Sequence, residues 1–190
     1  MDKKDTCNYK YKRNYTITTM CLESSVLIKR SSKTEFVIQL LEDGKSEFIS
    51  DLSLKNCKTF NNFIETFLNV FDSKHIFLSA DANSKIVSML SESSSSAAEV
   101  EPNPIPYSVV DLNSLLLVRT SKNGFEIKSF DTGNDKFIPN AKFCDNTYKY
   151  PYDFIRTFVE NNSFSRLDVV MSVEAYNEML SIMAFNRLEC

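Results

Sequence analysis

The chain has 190 residues, 43% hydrophobic and 25% charged, with a formal net charge of −3. That is the profile of one ordinary folded domain or two small ones, not of a disordered chain. Three glycines exclude a phosphate-cradling glycine-rich loop, and one histidine, His75, would have to serve any catalytic triad or histidine metal site, so an enzyme is not expected.

The opening residues, MDKKDTCNYKYKRNY, carry charge but no apolar core, so no secretory signal is expected. No apolar run reaches the roughly 20 residues of a membrane span. Five cysteines stand at 7, 21, 57, 144 and 190 without C-x-x-C spacing. Neither a metal site, a cofactor nor a disulfide framework is indicated, and reduced thiols fit an intracellular protein, cytoplasmic or nuclear.

In chain order, residues 1–21 read as a basic arm leading into a first strand, Tyr9–Met20. Residues 1–34 hold eight basic groups against three acids, a net +5, while the rest of the chain carries −8. Short β-branched and leucine runs follow at 25–30 and 35–41, then a turn at Gly44 and a strand at 46–51. Phe60, Phe63, Ile64, Phe67, Leu68 and Phe71 recur with helical spacing, which predicts an apolar helix stripe. A strand at His75–Ser79 precedes a helix carrying Ala82, Ile86, Val87 and Leu90. Residues 91–106, SESSSSAAEVEPNPIP, read as a serine, acid and proline linker. Beyond it come strands at 115–119, at 124–130 with a turn at Gly133, and from 136. A helix begins after Pro151, with Phe154, Ile155, Phe158 and Val159. A strand at Leu167–Val173 and a helix with Ala175, Met179, Leu180 and Met183 close the chain.

The two halves repeat. LESSVLIKR (22–30) matches LNSLLLVRT (112–120), and SKTEFVIQLLEDGKSEFI (32–49) matches SKNGFEIKSFDTGNDKFI (121–138) at seven of eighteen positions. NNFIETFL (61–68) matches YDFIRTFV (152–159), and IFLSADANSKIVSML (76–90) matches VVMSVEAYNEMLSIM (169–183). Four ordered blocks at nearly constant offset indicate duplication. The expected organisation is an arm and first strand at 1–21, repeat one at 22–90, a linker at 91–106 and repeat two at 107–190.

SRLDVVMSVEAYNEMLSIM (165–183) resembles the last strand and helix of a PUR repeat, the unit of the Pur-alpha-like single-stranded nucleic-acid-binding family. The pairs Phe36/Phe48 and Phe125/Phe137, each twelve positions apart across a polar turn, resemble the aromatics of that family's second and third strands. The related Whirly fold shares the ββββα shape. The resemblance implies two interlocked repeats in one domain, each packing its helix against the other. Three departures stand out. The arginine that the family places before the second aromatic is Glu47 in the first copy and Lys136 in the second. A helix precedes the last strand of each unit. The basic and amide residues expected before the turn are Leu41, Glu42 and Asp43 in the first copy, and Phe130, Asp131 and Thr132 in the second.

The expected fold is therefore α+β, with two tandem ββββα-like repeats, each carrying an extra helix before its last strand, forming one pseudo-symmetric domain. The function implied is non-enzymatic binding of single-stranded DNA or RNA. The alternative is a protein–protein interaction module on the same fold. Cations would hold the backbone and aromatics would stack bases. The candidate residues are Lys10, Tyr11, Lys12, Arg13, Lys29, Arg30, Arg119, Lys128 and Lys136. Phe36, Phe48, Phe125 and Phe137 are read as cross-strand core, with base stacking as the other reading for any that lies on an open sheet face. Protein partners and a homodimer stay open as further associations; a membrane partner is not expected.

Overall fold

A computed structural model describes residues 15–71, 75–93, 107–130, 135–143, 148–161 and 167–188. The elements of the first half are β1 (Tyr15–Met20), β2 (Ser25–Arg30), β3 (Glu35–Leu40), β4 (Ser46–Ser50), α1 (Phe60–Leu68), β5 (His75–Ser79) and α2 (Ala80–Ser93). The second half runs β6 (Tyr107–Val110), β7 (Leu115–Ser121), β8 (Gly124–Ser129), β9 (Asp135–Pro139), α3 (Pro151–Asn161), β10 (Leu167–Ser172) and α4 (Val173–Leu188). The described residues thus form an α+β protein with four helices and two five-stranded sheets.

The first sheet has the order β4-β3-β2-β5-β6 and the second β9-β8-β7-β10-β1. In each, a three-strand antiparallel meander is followed by a helix that carries the chain across to a strand parallel to the meander's first: β5 beside β2, and β10 beside β7. A parallel neighbour requires such a crossover, which is what the extra helix of each unit supplies.

The edge strands are exchanged. β1 precedes the first half but pairs in parallel with β10, from Tyr15↔Leu167 to Met20↔Ser172. β6 precedes the second half but pairs with β5, from Ile76↔Tyr107 to Ser79↔Val110. A buried serine sits at each corner where the chain passes between sheets. Ser25 Oγ donates to the Cys21 carbonyl at 2.7 Å, and Ser114 Oγ to the Asp111 carbonyl at 3.1 Å. β5 and β10 are apolar on both faces, so each needs hydrogen-bonding neighbours on both sides.

Strand alternation sorts the apolar side chains into three layers. Val26, Ile28, Phe36, Ile38, Ile76 and Leu78 pack under Phe63, Ile64 and Phe67 of α1 and Ala82, Ile86 and Met89 of α2. Leu116, Val118, Phe125, Ile127, Val169 and Met171 pack likewise under α3 and α4. Between the sheets lie Leu27, Phe77 and Val110 of the first and Leu115, Leu117 and Val170 of the second, with Leu22 and Leu41. The architecture is helix–sheet–sheet–helix. Each sheet has an outer face toward its helices and an inner face toward the other sheet.

Several expectations are corrected here. Each helix pair covers the sheet of its own half, not that of the other; what crosses between halves is a strand. The four-residue strand β6 was not foreseen. α2 continues through Ser93, so residues 91–93, expected in the linker, are helical; residues 94–106, the turn at Gly133, Cys7, Cys144 and Cys190 lie outside the described residues. Val87 is half exposed and does not belong to the buried stripe of α2.

Local signals explain the helix starts. Thr59, Ser79 and Ser172 cap α1, α2 and α4, accepting from the amides of Asn62, Ala82 and Ala175 at 3.2, 3.3 and 3.0 Å. Pro151 opens α3, where its missing N–H costs nothing.

Candidate nucleic-acid interface

The register of the two hairpins decides where the four aromatics point. Phe36 pairs with Ile49, so Phe48, one residue earlier, pairs with Val37 on the opposite face. Phe125 pairs with Ile138, and Phe137 pairs with Glu126. A one-residue offset switches the face of a strand side chain. Phe36 and Phe125 are accordingly fully buried beneath the helices, whereas Phe48 is 65% and Phe137 49% exposed on the inner faces. The core reading holds for the first of each pair and is corrected for the second.

Each exposed phenylalanine ends a cross-strand row that starts at a cation. In the first sheet the row is Lys29–Val37–Phe48. In the second it is Arg119–Glu126–Phe137. Phe137 lies close over Gly124: a Cβ built there would come within 2.7 Å of the Phe137 ring and would also strike the Ile138 carbonyl oxygen. Glycine is what lets that ring lie against the backbone of β8.

The candidate cations divide between the faces. Lys29, Arg119 and Lys128 are on inner faces. Arg119 donates through Nε to Glu126 at 3.0 Å and through Nη1 to the Glu42 carbonyl at 2.9 Å, while Ser121 Oγ also donates to Glu126 at 3.1 Å. Lys128 has Asp135 as its cross-strand neighbour, and its Nζ stands 6.0 Å from the Phe130 ring. Arg30 is on the outer face, 4.2 Å over the Phe36 ring, with both Nη atoms on Asp51 at 2.6 and 3.4 Å. Lys136 is also on the outer face, 5.0 Å from the Phe158 ring of α3. Alternation separates Arg30 from Lys29, and Lys136 from Lys128, so the predicted cations do not form one surface. Lys10, Tyr11, Lys12 and Arg13 lie outside the described residues.

The turn feeding β4 is tightly specified. Gly44 has φ +76°, and the Leu40 amide donates to the Lys45 carbonyl at 2.8 Å. The Asp43 carboxylate accepts from the Lys45 amide at 2.9 Å and meets its ammonium at 2.6 Å. That side-chain hydrogen bond holds the Asp43 carboxyl below, and the Lys45 ammonium above, their ordinary values.

Elsewhere, a cleft of about 610 Å³ opens between the β3–β4 end, α1 and α2, over an apolar floor of Leu54, Phe63 and Met89. Among the described residues no cluster of three metal-ligating side chains occurs, and no helix is long and apolar enough to cross a membrane. His75 is exposed at the start of β5. Comparison with known proteins finds no matching family model and no curated protein of significant similarity.

Proposed function

We propose that this chain is a non-enzymatic single-stranded DNA- or RNA-binding protein built from two copies of one unit in a single pseudo-symmetric domain of PUR-like character. The observation that carries this reading is the pair of corresponding inner-face rows, each running from a cation to a solvent-exposed phenylalanine. Large apolar side chains left in water at the rim of a sheet are costly, and an aromatic two strands from a cation in one row suits a base stacked near a phosphate. The duplication draws support from the matching succession of elements, the matching sheet orders and the reciprocal strand exchange.

The test is equilibrium binding of short fluorescent single-stranded oligonucleotides at rising salt. Binding should weaken as salt increases, with a slope of about −0.7 per phosphate neutralised, and Phe48→Ala should weaken it by about 1–3 kcal/mol if a base stacks there. Absence of binding at low salt would remove the reading.

Two observations favour the protein-interaction alternative: Lys29, Arg119 and Lys128 lie on inner faces and Arg30 on an outer one, a dispersal that suits protein partners where a single basic face would suit nucleic acid, and Arg30 and Arg119 are each held by an acid, Asp51 and Glu126. On that reading the exposed Phe48 and Phe137 would be anchors for a protein partner, and binding would resist salt.

A further inference from the structure

Resting on the reading of the inner faces as strand-binding surfaces, we infer that the two rows have different roles. Lys29 and Phe48 of the first half take the nucleic-acid strand, while Arg119 of the second half is a strut that ties the halves together.

The two rows correspond position by position, so their difference is informative. The middle residue is Val37 in one and Glu126 in the other. Among the described residues the Lys29 ammonium has no hydrogen-bond or ion-pair partner. Its direct cross-strand neighbour is apolar, and the acid on the same face, Glu35, stands diagonal to it, two residues from Val37, without forming an ion pair with it. A phosphate arriving near Phe48 therefore meets an ammonium that no described residue pairs.

In the second half both described candidate cations of the inner face have an acid as cross-strand neighbour: Arg119 has Glu126, and Lys128 has Asp135. A phosphate arriving beside Phe137 would face Glu126 and a guanidinium already committed to it. The third arm of that guanidinium reaches Glu42, in the turn that begins β4. Arg119 thus spends its donors on positioning the turn from which the Phe48 strand departs. In this account it is a positioning residue.

The test uses the full chain, which contains no tryptophan, so that Phe48→Trp and Phe137→Trp each place a single fluorescent reporter. Both variants are titrated with a short oligothymidylate over a range of salt. The expected result is quenching at position 48 and none at position 137. Lys29→Gln should make the slope of log K against log salt shallower by about 0.7. Arg119→Gln, which removes the strut to Glu42 and Glu126, should weaken binding without changing that slope. Equal quenching at both positions would overturn the inference, as would a slope unmoved by Lys29→Gln, a slope made shallower by Arg119→Gln, or binding with no quenching at position 48. Failure of the unmodified chain to bind the oligonucleotide at low salt is a separate outcome, and it defeats the proposed function together with this inference.

Discussion

Two phenylalanines twelve residues apart, on neighbouring strands of one hairpin, should respond in opposite ways to the same truncation. Phe36 has no exposed surface, meets Phe67 edge-on at 5.5 Å and carries Arg30 over its ring at 4.2 Å. Phe36→Ala empties a filled site beneath α1, and such changes cost about 3–5 kcal/mol. For a chain of this size each kcal/mol moves the melting temperature by about 2–4 °C, so the loss should be about 6–20 °C. Phe48 is mostly in water, and Phe48→Ala should stay within about 0.5 kcal/mol, as surface substitutions do. Thermal unfolding followed by circular dichroism measures both, with urea midpoints as a check. Equal losses, or a larger loss from Phe48→Ala, would mean that the β3–β4 pairing is shifted by one residue and that the open-face aromatic does not exist.

Other consequences follow from the same contacts. Deleting residues 15–20 removes β1 from the edge of the second sheet; hydrogen exchange should accelerate at Val169–Met171 before it does at Ile76–Leu78, and the reverse order would refute strand exchange. Gly124→Ala should cost about 1–3 kcal/mol through backbone displacement, because the added Cβ meets the Ile138 carbonyl; an unchanged urea midpoint would show that β8 and β9 are not so closely set. Ser172→Ala should lose about 1 kcal/mol of stability by uncapping α4, read from denaturant unfolding. In an NMR titration the Asp43 carboxyl should protonate below the usual aspartate range. A depressed value in the folded state contributes stability above the ordinary value, and that contribution is lost as pH falls through the depressed one; solvent screening of this surface pair keeps it small. A normal titration would show that the Lys45 contact does not persist in solution.

The elements were legible because their signals are local. The α1 stripe repeats at helical spacing from Phe60 to Leu68, and Pro151 marks the start of α3. Gly44 marks its turn through a positive φ. What the chain hid was pairing. β6 is only Tyr-Ser-Val-Val after a proline-rich stretch, too short to show alternation. That β1 joins β10, and β6 joins β5, depends on contacts between distant segments that no local pattern encodes. The facing of Phe48 and Phe137 was hidden for a related reason: spacing around a turn fixes distance along the chain, while the face depends on the register of each hairpin. Once Phe36↔Ile49 is known, the exposure of Phe48 follows. Arg30 shows the converse limit. It reads as a cation available to a phosphate, yet alternation turns it to the outer face, where Asp51, twenty-one residues away, claims both its Nη atoms.

The central claim is that the inner face carrying Lys29, Val37 and Phe48 is where a single strand binds. The most direct measurement is a titration of the isotopically labelled full chain with a short single-stranded oligonucleotide, following backbone and aromatic NMR signals. The account predicts shifts concentrated on Lys29, Val37 and Phe48, with the outer-face residues Phe36 and Arg30 little changed. Shifts confined to the cleft around Leu54, Phe63 and Met89, or no shifts at low salt, would contradict it.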